Sequence, residues 1–360
     1  MRRLLTADDV EAAVCGGSIF AAGGGGWADH GRMLGEMAMA AGSPELVSMD
    51  EVPDDAWIAT AAAIGAPAST TAWEMRGEDY VRAAQLLEEA LGEPLYGLMI
   101  GQNGMSSTLN AWLPAALRGY KVIDAVGDIR AHPTGDMGSI GMAGSTEEMI
   151  QTAAGGHRAS HSYIELICRG ATAKISPVLR TASDMSGGFI ASCRNPLRAS
   201  YVRENAALGG ISRAIDLGAA ILAARDGGGD VVGAILQETG GSILAAGRVT
   251  EKRVRYTPEA FDIGTIAIEG EGRALTLHVM NEYMAVDDPR EGRVATYPDV
   301  ITTLDPAGAP VSVGQVAVGM DLLVLRIPAD LIPLNASVRD PSVYPAVEKA
   351  LGIALYNPDL

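Results

Sequence analysis

The densest run of reactive side chains lies between Asp124 and Asp136. Three carboxylates (Asp124, Asp128, Asp136), the Arg130 guanidinium and the His132 imidazole fall there within thirteen positions. The run starts at an apolar strand, Lys121 to Asp124, and enters a glycine-rich stretch, 125–144. Ligands bind at the carboxyl ends of strands in α/β sheets, because the loops that leave the sheet there form crevices. A carboxylate or His132 at such a place could activate water, and Arg130 could hold a carbonyl or carboxylate oxygen. A loop tied down by Asp–Arg pairs is the competing reading. The length of the stretch, with little periodicity, favours a functional loop.

The second candidate is the run Gly23, Gly24, Gly25, Gly26. It reads as a loop between an apolar strand, Ser18 to Ala22, and a helix reaching about Ala41. Bare backbone N–H groups and a helix N-terminus would then point at one spot and could cradle an anion. The spacing is not the dinucleotide pattern GxGxxG, and no Lys-Ser/Thr follows as in a P-loop. A tight structural turn is the bland alternative.

Other signals are single residues or pairs. His157 and His161 have a spacing that could bind zinc on a helix, but the residues between them lack the Glu of a metalloprotease motif; surface or capping histidines fit better. Cys193 stands beside Arg194, a cation that would favour thiolate and make a nucleophile, although lone cysteines are usually inert. Asn281-Glu282 ends the strand Ala274–Met280, and Glu282 there could be a general acid or base, or a solvated turn residue. Asn103 lies in the loop Gly101-Gln102-Asn103-Gly104, after another apolar strand.

These candidates need elements to hold them. Thr6 before Asp8-Asp9-Val10-Glu11 reads as a capping box opening a helix from Asp8 to about Gly16. Strands at 45–49, 57–64, 95–100 and 121–124 alternate with helices at 78–91 and 106–118, which predicts an α/β domain with a parallel or mixed sheet. Residues 147–170 read as mostly helical. Beyond a boundary near 158, one long helix (202–224) precedes strands at 231–236, 242–256, 261–268, 274–279, 300–304 and 322–327. Leu275, Leu277 and Val279 alternate with Thr276 and His278, a half-buried strand pattern. The expected fold is thus an α/β N-terminal domain (1–158) with a Gly-rich strand-to-helix loop, and a largely antiparallel β-rich C-terminal domain (159–360).

Composition narrows the class. The 360 residues are too many for one typical core, and 48% hydrophobic with 20% charged residues is globular composition. A formal net charge of −17 repels phosphate backbones and anionic lipid, so nucleic acid is not an expected partner. Three widely spaced cysteines without a CxxC pair argue against a disulfide framework and fit a reducing cytoplasm. The first residues do not read as a signal peptide and no stretch reads as a membrane span. No cofactor is required by the sequence, although a divalent metal is compatible with it.

Taken in order, the residues resemble a known family. They are Gly16-Gly17-x-x-Phe20-x-x-Gly23 to Gly26, then Gln102-Asn103-Gly104, then Val122-Ile123-Asp124-Ala125-x-Gly127-x-x-Arg130-Ala131-x-Pro133. Met280-Asn281-Glu282, Tyr297-Pro298-Asp299-Val300-Ile301 and Val318-Gly319-Met320-Asp321 follow. The series resembles the S-methyl thiohydantoin desulfurase family from Leu4 to about Tyr344. The resemblance implies a bacterial enzyme that acts on a five-membered thiohydantoin-type ring and replaces exocyclic sulfur by oxygen. It also implies occurrence beside hydantoinase and oxoprolinase proteins, so a hydantoinase-like partner or a homo-oligomer is an expectation, as is a non-catalytic accessory role. Such chemistry needs a base for water, donors for charge on the ring, and an acid for the leaving thiolate. Asp124 or Asp128 could be the base, Arg130 or the Gly23–Gly26 amides the donors, and His132 or Glu282 the acid; Cys193 would serve a covalent route. The glycines, Asn103, Arg130 and Asn281 would bind substrate. The chain departs from the family tendency at Gln102, at His132 and at Thr134, the first and last of which stand where a Glu is usual.

Overall fold

A computed structural model describes residues 1–65, 74–257, 259, 261–270 and 272–358. The first sheet draws on β1 (Arg2–Leu4), β2 (Glu45–Val47), β3 (Trp57–Gly65), β4 (Gly97–Gln102), β5 (Lys121–Asp128), β6 (Met149–Gly155), β7 (Ile164–Gly170), β8 (Phe189–Arg198) and β9 (Ala207–Leu208). Its order is β1-β2-β5-β4-β3-β8-β6-β7, with β9 on β5. The centre, β2-β5-β4-β3, is parallel. Helices α1 (Ala7–Phe20), α2 (Ala28–Ala41), α3 (Gly77–Leu91) and α4 (Trp112–Arg118) belong to this half; α3 and α4 make the β3–β4 and β4–β5 crossovers that parallel neighbours require.

Helices α5 (Thr172–Met185), α6 (Ala199–Asn205), α7 (Gly210–Asp226) and α8 (Val231–Thr239) lead to the second sheet. That sheet holds β10 (Ser242–Tyr256), β11 (Asp262–Gly270), β12 (Arg273–Met280), β13 (Glu282–Asp288), β14 (Gly292–Thr296), β15 (Val300–Leu304), β16 (Pro310–Val311) and β17 (Asp321–Ile327), and α9 (Pro345–Leu351) follows it. Its order is β14-β13-β12-β11-β10-β17-β15-β16, antiparallel throughout. The two-part architecture, mixed α/β then antiparallel β, is the expected one. Among the described residues, no helix is long and apolar enough to cross a membrane.

Four local expectations are corrected. Ser18–Ala22 is no strand: α1 runs through to Phe20, capped at Thr6 by a box with Asp9. The glycine run therefore joins two helices, not a strand and a helix. Gly16 and Gly17 do not stop α1, because it is packed there against other backbone: a Cβ on Gly16 would strike Ala214 of α7, and one on Gly218 would strike Ala12. Residues 147–170 form the β6–β7 hairpin, turned where Gly155 and Gly156 both take positive φ. In β7 half-buried and exposed residues alternate strictly, a period of two that a helix cannot use. Val231–Leu236 lies in α8, started by Asp230 accepting from the Gly233 amide. The long helix is split into α6 and α7 by the extended Ala206 and by β9, which pairs with β5, before the left-handed Gly209 restarts it. The first sheet also takes β6 to β9 from beyond residue 149.

The two halves share a core. One cluster joins Leu5, Phe20 and Ile211 of the first half to Val300, Leu325 and Ile327 of the second sheet. Backbone bonds stitch the same seam: the Tyr283 amide donates to the Ala22 carbonyl and the Val313 amide to the Gly23 carbonyl. Because α1 and α7 touch backbone to backbone, Gly16→Ala or Gly218→Ala should cost about 1–3 kcal/mol, the usual penalty of overpacking. Denaturant midpoints of the variants check this; an unchanged midpoint would show that the helices can part without loss.

Candidate functional site

The cavity sits at the carboxyl ends of β3 and β4, where the second sheet covers the first. Strand residues Thr60, Ala62 to Gly65 and Gly101-Gln102 line it together with His132, Arg180, Arg194 and Glu282. The free volume inside it is about 80 Å³, a small cup.

Glu282 opens β13, directly after Asn281. Asn281 adopts left-handed backbone (φ 57°), and its side-chain oxygen accepts from the Asp262 amide. This single-residue turn swings Glu282 inward, where only 4% of it is exposed. Its carboxyl lies against Gly24, where any Cβ would collide with it. One oxygen, Oε2, has no hydrogen-bond partner. Burial pushes its pKa up to about 8, against the opposing pull of Arg130 and Arg180. The carboxyl is therefore protonated at neutral pH and can donate.

His132 follows β5. Its backbone amide donates to Gln102 Oε1 at 3.0 Å, and its ring packs over Gly138. Burial, aided by Arg130, Arg194 and Arg180, drives its pKa down to about 3, so the imidazole is neutral and keeps a lone pair. Behind it, Asp128 is fully buried. Its Oδ2 accepts from the Tyr297 hydroxyl at 2.7 Å and lies 3.7 Å from His132 Nδ1, which has no hydrogen-bond partner. That gap is too long for a hydrogen bond, so the pair interacts by charge alone. Burial raises the Asp128 pKa to about 6, leaving it mostly ionised at pH 7.

Arg130 does not face the cavity as a free donor. Its guanidinium is fully buried, donates to the Ala131 and Asp299 carbonyls, and lies over the Tyr297 ring. The cavity's own cations are Arg194, bonded to Ser176 Oγ at 2.6 Å, and Arg180, bonded to the Pro133 carbonyl at 2.9 Å. Burial lowers the pKa of each to about 10, so both stay charged. Asp136 lies near Arg194 and has one unpartnered oxygen.

The structure separates the remaining sequence candidates. Asp124 caps α7: it accepts from the Ile211 and Ser212 amides and the Ser212 hydroxyl. Asn103 is buried, donating to the Ile129 and Gly210 carbonyls. Cys193 is packed in the apolar core, and burial pushes its thiol up to about 12, against a nucleophilic thiolate. Asn281 does line the cavity. Of the glycines, Gly24 touches Glu282 while Gly23, Gly25 and Gly26 pack on Tyr283, Gly104 and Ser106. His157 and His161 flank a 3-10 turn rather than sharing a helix face, and His157 caps it. Among the described residues, no three His, Cys, Asp or Glu side chains are grouped to hold a metal.

Comparison with known proteins places this arrangement. Residues 8–161 match the family described as S-Me-THD-like, N-terminal domain, and residues 171–333 match S-Me-THD-like, C-terminal domain. The chain belongs to the S-Me-THD-like family. Its fold is that of a protein from Chromobacterium violaceum solved by X-ray crystallography, with 22% identity, 99% of each chain covered and a TM-score of 0.73. No curated protein matches the chain.

Arg180, Arg194 and Tyr297 were missed from sequence. Arg180 stands on a helix with no local signal, Arg194 was noted only as the neighbour of Cys193, and Tyr297 only as a motif letter. The perturbed groups predict a pH signature of stability. The His132 pKa falls on folding, so stability is lost as pH drops from about 6.5 toward 3; the Glu282 pKa rises, so stability is lost as pH climbs from about 4.5 toward 8. Glu282→Gln should therefore gain melting temperature relative to wild type as pH rises from 5 to 8, and His132→Gln as it falls from 6 to 4. Parallel melting curves against pH would refute the burial argument.

Proposed function

We propose that the chain is an enzyme that replaces exocyclic sulfur by oxygen on a five-membered thiohydantoin-type ring, releasing a thiol. The observation that carries the reading is one small cavity lined by a carboxyl that is protonated at neutral pH, a neutral imidazole and two guanidiniums. Family membership supports a thiohydantoin-related role.

The steps follow from these residues. His132 takes a proton from water as its oxygen attacks the ring carbon bearing sulfur. Asp128, 3.7 Å from Nδ1, stabilises the resulting imidazolium. The C=N bond opens and its electron pair settles on the ring nitrogen, where Arg180 and Arg194 offer charged donors. The intermediate then collapses: the C–S bond breaks, Glu282 protonates the departing thiolate, and the hydroxyl proton moves to the ring nitrogen. The product is the hydantoin and a thiol. Proton transfer from His132 to Glu282 through water restores both groups, so water is the only co-reactant.

Incubation with S-methyl thiohydantoins should release methanethiol one for one with hydantoin. Glu282→Gln and His132→Gln should each lower kcat about 10²–10⁴-fold, the usual worth of a positioned acid or base, while Cys193→Ala should leave it within a factor of about three. Activity should decline as pH rises through about 8, where Glu282 loses its proton, and the decline should vanish in Glu282→Gln. Tight binding of hydantoins with no thiol release would replace this reading with a binding role.

A further inference from the structure

The polar cavity does not end at the guanidiniums. Ile64, Thr134, Gly135, Arg180 and Arg194 line it and also line a second, larger cleft. That outer cleft has a different character. Its walls include Phe261, Ile263, Met280, Pro177 and Ala346, with Lys349 and Glu259 as further lining residues. Ile263 and Met280 are direct cross-strand partners on β11 and β12, so their side chains share one face and make a continuous apolar wall. The free volume there is about 810 Å³, against about 80 Å³ in the inner cup.

The junction is built rather than accidental. The Arg180 guanidinium lies 4.5 Å over the Phe261 ring while donating to the Pro133 carbonyl, so one residue faces both compartments. Gly135 leaves room for Arg194: a Cβ there would collide with its guanidinium. A bare five-membered ring would occupy the inner cup and leave the outer gallery to water.

We propose that the ring this protein binds carries an apolar substituent, of benzyl or branched-alkyl size, which runs past Arg180 and Arg194 into the gallery walled by Phe261, Ile263 and Met280. The occupant is fixed by continuity: the gallery shares five residues with the ring pocket, so a group attached to the ring reaches it without a second binding event. The proposal rests on the thiohydantoin reading above and specifies its substrate class.

Two measurements on the full chain test it. The first is kcat/KM for S-methyl thiohydantoins bearing hydrogen, methyl, isobutyl or benzyl at the ring carbon outside the reacting centre. The second is Kd by calorimetry for the corresponding hydantoins, which do not depend on turnover. From hydrogen to benzyl, both affinity and kcat/KM should rise roughly tenfold or more, as burial of an apolar group of that size demands. Phe261→Ala should remove most of that gain. Ala350→Asp, at an exposed position on the gallery wall, should do the same without threatening the fold. Ala350→Asp should bind unsubstituted hydantoin as wild type does. A flat or falling series, equal loss for the unsubstituted ring, or no binding of any hydantoin overturns the proposal. Methanethiol release with a flat series leaves the desulfurase reading intact and removes this one. A rising hydantoin series with no methanethiol release does the reverse.

Discussion

The Arg130 guanidinium is wholly out of water and cannot shed its charge, so everything around it must answer to that charge. It spends one donor on its neighbour Ala131, one on the Asp299 carbonyl in the second half, and lays its face on Tyr297 from that same half. Asp128, two residues earlier, is ionised within the same buried space and takes the Tyr297 hydroxyl. The end of the first domain's central strand and the β14–β15 turn of the second thus form one electrostatic unit. Truncating Asp128 or Arg130 would leave the other charge buried without its opposite, an error that costs several kcal/mol in such settings.

The reactive geometry is downstream of that constraint. With Asp128 and Arg130 locked, His132 has one place to go, above Asp128 and against Gly138. The second half, anchored at Tyr297 and Asp299, brings β13 against the glycine run, and its first residue, Glu282, meets Gly24. The glycines' absent side chains are what allow this contact. Burial then sets the protonation states, raising a carboxyl and silencing an imidazolium, so one compartment holds an acid and a base of opposite habit at neutral pH.

Much of this was legible in the chain. The loop after Asp124 was singled out by its density of Asp, Arg and His, and Glu282 by its place at a strand end. The alternation of strands and helices gave the mixed sheet, and Leu275–Val279 gave an antiparallel strand. Where the reading failed, long-range packing overrode local pattern. Gly16-Gly17 looked like a helix stop, yet α7 backbone fills the space at Gly16 and the Gly104 carbonyl that at Gly17. Residues 147–170 were read as helical, but the β6–β7 hairpin completes an existing sheet edge at β8. Val231–Leu236 is apolar enough for a strand, and Asp230 caps it into a helix.

By itself, the sequence determined the inventory: an acidic, two-part α/β and β chain, a glycine run, a charged loop at a strand end, and a Glu after a turn-prone Asn. Local chemistry suffices for these, because turns, caps and alternation act over a few residues. Only the tertiary structure decided which members meet. It sent Asp124 to cap a helix, Asn103 to tie the loop after β5 to the start of α7, Cys193 to the core and Arg130 to the domain seam. It placed Arg180 and Arg194, from a helix and a strand with no local mark, beside Glu282. The physical reason is that pKa and reactivity depend on solvent exclusion and on neighbours more than a hundred residues away along the chain, and neither is written in any short stretch of it.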